Sequence, residues 1–299
     1  MAVITFTIAA AQEMKERIGN YEGLFVGTIH ALVYQWLCIG GYKYEADKYV
    51  ETEDFDKFFS LLKKHPECAR HLDTLIIDEA QDVSDNMWFT FFELIQPNNF
   101  FIVGDPNQSI YSFRNVNPNK LFEISKWKDV TTYFLNENYR NSKHILAFAK
   151  RFLKKAGMDM DDTSIPMNPN SGLVIEGKYS KENLEKLLPK ISNYGDWFIL
   201  ARTNAAADEI EYLLNRHKIP CRRLVRAGLS QSELAKIMKE DKILVGTIHS
   251  AKGLERHGVI VCGPWYRKPE EYRLNYVAAT RAENVLVWLN NAPKTKRGW

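Results

Sequence analysis

Leu75-Ile76-Ile77-Asp78-Glu79-Ala80-Gln81 and, further on, Phe100-Phe101-Ile102-Val103-Gly104-Asp105-Pro106-Asn107-Gln108-Ser109-Ile110-Tyr111-Ser112-Phe113-Arg114 decide how this chain folds. Each is a short apolar run that ends in a polar turn. Runs of this length, bounded by turn residues, are strands buried on both faces, as in parallel sheets. Paired acids at the end of such a strand suit a nucleotide's magnesium. Of Asp78 and Glu79, adjacent and pointing in different directions, one can hold the ion while the other orients an attacking water. Gln108, beyond the neighbouring strand, can donate to a phosphate oxygen and accept from water at once. The plainer alternatives are a solvated turn at 78–79 and an ordinary polar loop residue at 108.

Working outward, the same alternation runs along the chain. Strand-like runs at residues 3–6, 24–28, 75–78 and 100–103 alternate with segments of helical period at 9–18, 30–38, 54–64 and 84–95. A second series has strands at 130–135, 173–177, 197–201, 243–247, 259–262 and 285–289, with helices at 142–156, 181–191, 205–216 and 270–280. Residues 157–171 read as a loop rich in Asp, Pro and Asn. The pattern predicts an α/β protein of two parallel-sheet domains, 1–130 and 131–299, with the boundary between residues 120 and 138. An echo links the halves: Val26-Gly27-Thr28-Ile29-His30 recurs letter for letter as Val245-Gly246-Thr247-Ile248-His249, closing a strand each time.

A chain of 299 residues, 45% hydrophobic and 26% charged, has the balance of a globular protein with room for two domains. No apolar run approaches the ~18 residues of a membrane span, which predicts no membrane partner. Cys38, Cys68, Cys221 and Cys262 form no CxxC pair and the N-terminus has no basic leader. A zinc site or disulfide framework is not expected, and an intracellular, cytoplasmic location is. The net charge of +3 permits nucleic-acid binding without demanding it.

Further segments carry candidate chemistry. Tyr111 and Phe113, flanked by Arg114, suit stacking on single-stranded bases, or else core packing. In Asn138-Tyr139-Arg140-Asn141, the arginine can neutralise a transferring phosphate and the tyrosine can stack on a purine; the alternative is a surface arginine at a helix start. Arg281, in Tyr276-Val277-Ala278-Ala279-Thr280-Arg281-Ala282-Glu283, is a second such arginine, or a helix C-terminal one held by the dipole. Thr247-Ile248-His249-Ser250-Ala251-Lys252-Gly253-Leu254-Glu255 offers donors for phosphate and a carboxylate for a ribose hydroxyl. Gly172-Leu173-Val174-Ile175-Glu176-Gly177-Lys178 has GxxxxGK spacing, but its apolar interior and the Tyr179 that follows read as a strand.

In this order the segments resemble the UvrD/Rep-like helicases of superfamily 1. Residues 5–18 look like motif Ia, 27–30 like Ib, 78–81 like II, 103–114 like III and 138–141 like IV. Residues 198–204 look like IVa, 245–255 like V and 276–283 like VI. The resemblance implies two RecA-like domains of the P-loop NTPase helicase class, 1A and 2A, using ATP and Mg2+ and moving on single-stranded DNA, usually 3′ to 5′. By that match Asp78 handles magnesium, Glu79 is the base, Gln108 senses the γ-phosphate, and Arg140 and Arg281 are arginine fingers. Tyr139, Gly253 and Glu255 would contact the nucleotide. Phe6, Thr28, His30, Tyr111, Phe113, Arg114, Thr247 and His249 fall on DNA-contacting motifs.

The sequence departs from the pattern where the family's Q-motif and phosphate loop precede motif Ia, so the first domain is expected to be N-terminally truncated. The 1B insertion is reduced to about residues 39–73, and the 2B insertion is absent between IVa and V. Hydrolysis would then need the loop from elsewhere, for example a second polypeptide. The competing expectation is a non-hydrolysing remnant that binds single-stranded DNA or a partner protein.

Overall fold

The computed structural model describes residues 1–111, 115–117, 119–156, 163–225 and 231–291, in two compact units, Met1–Thr131 and Thr132–Trp299. The first unit is built on a parallel sheet of β1 (Ala2–Thr5), β2 (Phe25–Thr28), β3 (Thr74–Ile77) and β4 (Asn99–Ile102), in the order β2-β1-β3-β4. Ile4 is registered with Gly27 on one side and Ile77 on the other, and Ile77 with Ile102. Because all four strands run one way, Phe6, Thr28, Asp78 and Val103 arrive at the same edge of the sheet.

Helices α1 (Ile8–Ile18), α2 (Ile29–Ile39), α3 (Lys43–Glu51), α4 (Phe55–Lys64), α5 (Asp85–Phe89) and α6 (Lys120–Ser125) complete the unit. Their starts follow capping chemistry. Thr7 accepts from the Ala10 N–H, Thr28 from Ala31, Asp54 from Lys57 and Ser84 from Met87. The run at 84–95, expected as one α-helix, is α-helical only to Phe89 and continues as π-helix over Thr90–Ile95, where Gln96 in a left-handed conformation ends it. Trp36, Phe58, Phe59, Trp88 and Phe91 fill the core.

The second unit carries a six-stranded parallel sheet, ordered β7-β12-β11-β8-β10-β9. Its strands are β7 (Leu173–Lys178), β8 (Trp197–Ala201), β9 (Cys221–Leu224), β10 (Ile243–Thr247), β11 (Arg256–Cys262) and β12 (Ala282–Asn290). A two-residue pair, β5 (Glu137–Asn138) with β6 (Ile165–Pro166), interrupts the expected loop. The helices are α7 (Lys143–Ala156), α8 (Lys181–Leu187), α9 (Asn204–Arg216), α10 (Gln231–Met238) and α11 (Pro269–Ala279). Ile199, Ala201, Val245 and Ile260 pack with Leu184 of α8 and Ile210 of α9 on one face. Phe148 and Phe152 of α7 pack their rings on Trp288 of β12. Central strands covered on both faces need apolar residues without alternation, which is why they read as unbroken runs.

Two readings of the sequence are settled here. Gly172–Lys178 is strand β7 with its lead-in glycine, so its GxxxxGK spacing is not a phosphate loop. Residues 130–135, expected as a strand, form none. Tyr133 and Leu135 are 85% and 95% exposed, and no described strand offers them a ladder.

Candidate functional site

In the first unit the constellation grows from the ends of β1, β3 and β4. The ladder runs one residue past β3, where the Asp78 N–H donates to the Ile4 carbonyl at 2.9 Å. That bond aims the Asp78 carboxylate over the sheet edge, where the Thr5 hydroxyl donates to Oδ2 at 3.5 Å. Burial raises the Asp78 pKa above the ordinary carboxylate range, and the Glu79 charge adds to the effect; the Glu79 backbone N–H and Thr5 oppose it. Glu79 adopts a left-handed backbone, φ 53°, which turns the chain sharply out of the strand.

Gln108 is the last residue of a short 3₁₀ turn, Pro106–Gln108, capped by Asp105. Its Nε2 donates to Asp105 Oδ2 at 2.9 Å. The Phe6 and Tyr111 rings stack with centroids 5.5 Å apart and planes at 24°. Phe6 also lines a cavity of about 10 Å³ with Thr5 and Asp78. Thr28 is 8% exposed and occupied in capping α2. His30 lies among the Phe55, Phe58 and Phe59 rings, with centroids 4.5, 6.2 and 5.3 Å away. Phe113 and Arg114 lie outside the described residues.

In the second unit the candidate residues of three distant segments meet. Arg140 forms an ion pair with Glu255. Gly253, at φ +78°, makes the left-handed turn that brings Glu255 round; only glycine takes that conformation without strain. Tyr139 is 68% exposed, its hydroxyl bonded to Glu137. Arg281 is wholly buried: Nε donates to the Val277 carbonyl at 3.0 Å, Nη1 to the Leu254 carbonyl at 3.2 Å and Nη2 to the Thr280 hydroxyl at 3.1 Å. It thereby caps the last turn of α11. Thr247 accepts from the Ser250 N–H as Thr28 does from Ala31, so the repeated pentapeptide builds the same strand-end cap twice. His249, just beyond Thr247, is half-buried in that turn.

Three residues that sequence reasoning gave no role prove central. Asn141 is 1% exposed and its Nδ2 donates to the carbonyls of Thr280 and Ala282, straddling Arg281. Arg202, just past β8, makes a bidentate pair with Glu271 of α11, both bonds 2.9 Å, and lies over the Trp265 ring. Gln81 bridges Glu79 and the Asp105 backbone. Gln81, Asn141 and Arg202 sit inside segments that resemble motifs, and that placement is their only mark in the sequence. Glu271 lies outside every such segment and has none.

Acids thus stand at parallel strand ends in one α/β unit, and arginines with a glutamate in the other. Residues 1–114 match the family model of an AAA domain, and residues 133–225 and 223–291 match that of the UvrD-like helicase C-terminal domain. The second match covers more than half of the chain, which belongs to the UvrD-like helicases. It is similar to the ATP-dependent DNA helicase srs2 of Schizosaccharomyces pombe, 30% identical over 188 residues, covering 56% of this chain and 21% of that protein. A probable DNA helicase II homolog of Mycoplasma capricolum is 31% identical over 160 residues, 50% of this chain and 22% of its own length. The ATP-dependent DNA helicase Rep of Buchnera aphidicola is 31% identical over 193 residues, 56% and 28% respectively. The chain therefore corresponds to between 21% and 28% of these relatives.

Proposed function

We propose that this chain is core machinery of an ATP-dependent DNA helicase or translocase acting on single-stranded DNA, in the 3′ to 5′ direction that the resemblance implies. The observation that carries the reading is the first unit's strand-end residues: Asp78 and Glu79 after β3, Gln108 after β4, and Phe6 after β1 with its ring stacked on Tyr111.

The donor set fits Mg2+. Asp78 supplies a hard oxygen, and among the described residues no group of three His, Cys, Asp or Glu side chains could hold a metal. One carboxylate completed by phosphate oxygens and water is the usual magnesium arrangement. Bound there, the ion would neutralise charge on the phosphates. Glu79 would orient water and Gln108 would report on the terminal phosphate. Tyr139 is exposed enough to stack on adenine. Arg140 must leave Glu255 to reach a phosphate, which would release that carboxylate toward a ribose hydroxyl. Arg281 must break three bonds to become a finger, so in the state described it supports α11. Phe6 and Tyr111, with Thr247 and His249, are proposed to face DNA; Thr28, buried and capping α2, and His30, among three phenyl rings, serve the fold instead.

Residues 1–299 hold no GxxxxGK[ST] sequence. We propose that hydrolysis depends on a phosphate loop outside these residues, since positioning supplies most of phosphoryl-transfer catalysis. The 299-residue chain assayed alone should show no DNA-stimulated ATP hydrolysis beyond that of Glu79→Gln; clear turnover abolished by that substitution overturns the dependence. Binding is tested by fluorescence anisotropy with a labelled oligothymidylate. Affinity should exceed that for duplex, fall steeply with salt, and drop about tenfold in Tyr111→Ala. Equal affinity for duplex and single strand, unchanged in the variant, would remove the DNA reading.

A further inference from the structure

Gln81 is 4% exposed, and both ends of its side-chain amide are engaged. Nε2 donates to Glu79 Oε2 at 2.6 Å, and Oε1 accepts from the Asp105 backbone N–H at 2.9 Å. Asp105 in turn commits both carboxylate oxygens. Oδ1 accepts from the Asn107 N–H and Oδ2 from Gln108 Nε2, each at 2.9 Å. An unbroken polar path therefore runs Glu79–Gln81–Asp105–Gln108, from the candidate base to the candidate phosphate sensor.

The chemistry of the path leaves little choice at position 81. A carboxylate can only accept and a backbone N–H can only donate, so the bridge needs one group that does both, and its orientation is fixed. Glutamate there would set two carboxylates against each other, and an apolar side chain would leave the bridge unmade. The backbone is shaped to admit the amide. A Cβ on Gly104 would come within 2.7 Å of Gln81 Oε1 and 3.1 Å of the Ala80 nitrogen. Glu79 holds a left-handed conformation that non-glycine residues keep only where their surroundings enforce it, and the bond from Gln81 is one such constraint.

We propose that Gln81 is a positioning residue that fixes the Glu79 carboxylate and couples its placement to the Gln108 amide through Asp105. Reorientation of the sensor would then be transmitted to the base, and the converse. The functional meaning rests on the roles proposed above for Glu79 and Gln108, but the coupling belongs to the folded chain and is read without nucleotide or DNA.

The test is nuclear magnetic resonance of the 15N-labelled 299-residue chain. Glu79→Ala should shift the Asp105 backbone amide and the Gln108 side-chain amide by more than their linewidths. In a Gln81→Met background the same change should move neither. Gln108→Ala should shift the Gln81 side-chain amide, and lose that effect when Asp105 is also changed to Ala. Should Gln81→Met fail to fold, Gly104→Ala dislodges the amide from the other side and must abolish transmission equally. Glu79→Ala leaving Gln108 unmoved, or moving it as much without Gln81 as with it, overturns the proposal. A failure of DNA binding or ATP use would instead strike the functional reading and leave this result standing.

Discussion

Asp78 is held in a form that its surroundings disfavour. Burial and the neighbouring Glu79 charge both raise its pKa, so the folded state binds its proton more readily than the unfolded chain does. Its contribution is therefore best below the unfolded carboxylate pKa and is lost as pH rises through the folded one, leaving a constant penalty at neutrality. Asp78→Asn should raise the thermal midpoint at pH 7, with the gain shrinking as pH falls from neutrality through the raised carboxyl pKa of the folded state. Scanning calorimetry of both proteins across that range checks it; an equal gain at every pH would refute the electrostatic cause. Asn141 is the opposite case, a structural residue inside a motif. Asn141→Ala strips two buried carbonyls of their donor and should cost about 2–4 kcal/mol in urea unfolding. The residue types were legible in the sequence because strand-end acids and glutamine stand out against apolar runs. The partners were not, because Arg140 with Glu255, and Asn141 with residues 280 and 282, are joined only by folding.

Among the elements, the long buried strands and amphipathic helices were legible, and the polar or unpartnered ones were not. Only Ala46 of α3 is buried, so that helix shows no apolar stripe to read. Strand β9 is Cys-Arg-Arg-Leu at a sheet edge, where no apolar run is required. Residues 130–135 failed in the other direction: their β-branched and aromatic content favours strand, but a strand exists only where a neighbour completes the ladder. Strand β4 shows the same rule from its open side. Its Asn99 and Val103 amides donate toward β3, and Phe101 is 61% exposed. Parallel pairing alternates, so the amides of Phe100 and Ile102 point to the edge that no described strand covers. Hydrogen exchange should be fast at 100 and 102 and slow at 101 and 103; slow exchange at all four would mean that the edge is paired in solution.

At the scale of the molecule, the two units each carry their own sheet and core. At the start of the second unit Tyr133, Phe134 and Leu135 are 85%, 58% and 95% exposed and form no regular structure. Brief chymotrypsin treatment should cut first at 133–135 and release two resistant fragments, identified by mass spectrometry; first cuts inside either sheet would contradict the division. By contrast Cys262 is buried and its thiol pKa is pushed up, while that of half-buried Cys221 rises to about 11. Burial is the main cause in both, so both should resist alkylation at neutral pH until the chain unfolds.

The sequence by itself determined the α/β class, the parallel strands, and the acids and amide at their tips. Those follow from local apolar periodicity and from residue types that suit strand ends. Only the tertiary structure decided which of those groups are used and by what. It buried Arg281 beneath α11, tied Arg140 to Glu255, set His30 among phenyl rings, and strung Glu79, Gln81, Asp105 and Gln108 on one hydrogen-bonded path. The physical reason is that the deciding contacts, Arg140 with Glu255 and Gln81 with Asp105, join groups distant in the chain. Strand registry brings those groups to bonding distance, and no local pattern in the sequence records it.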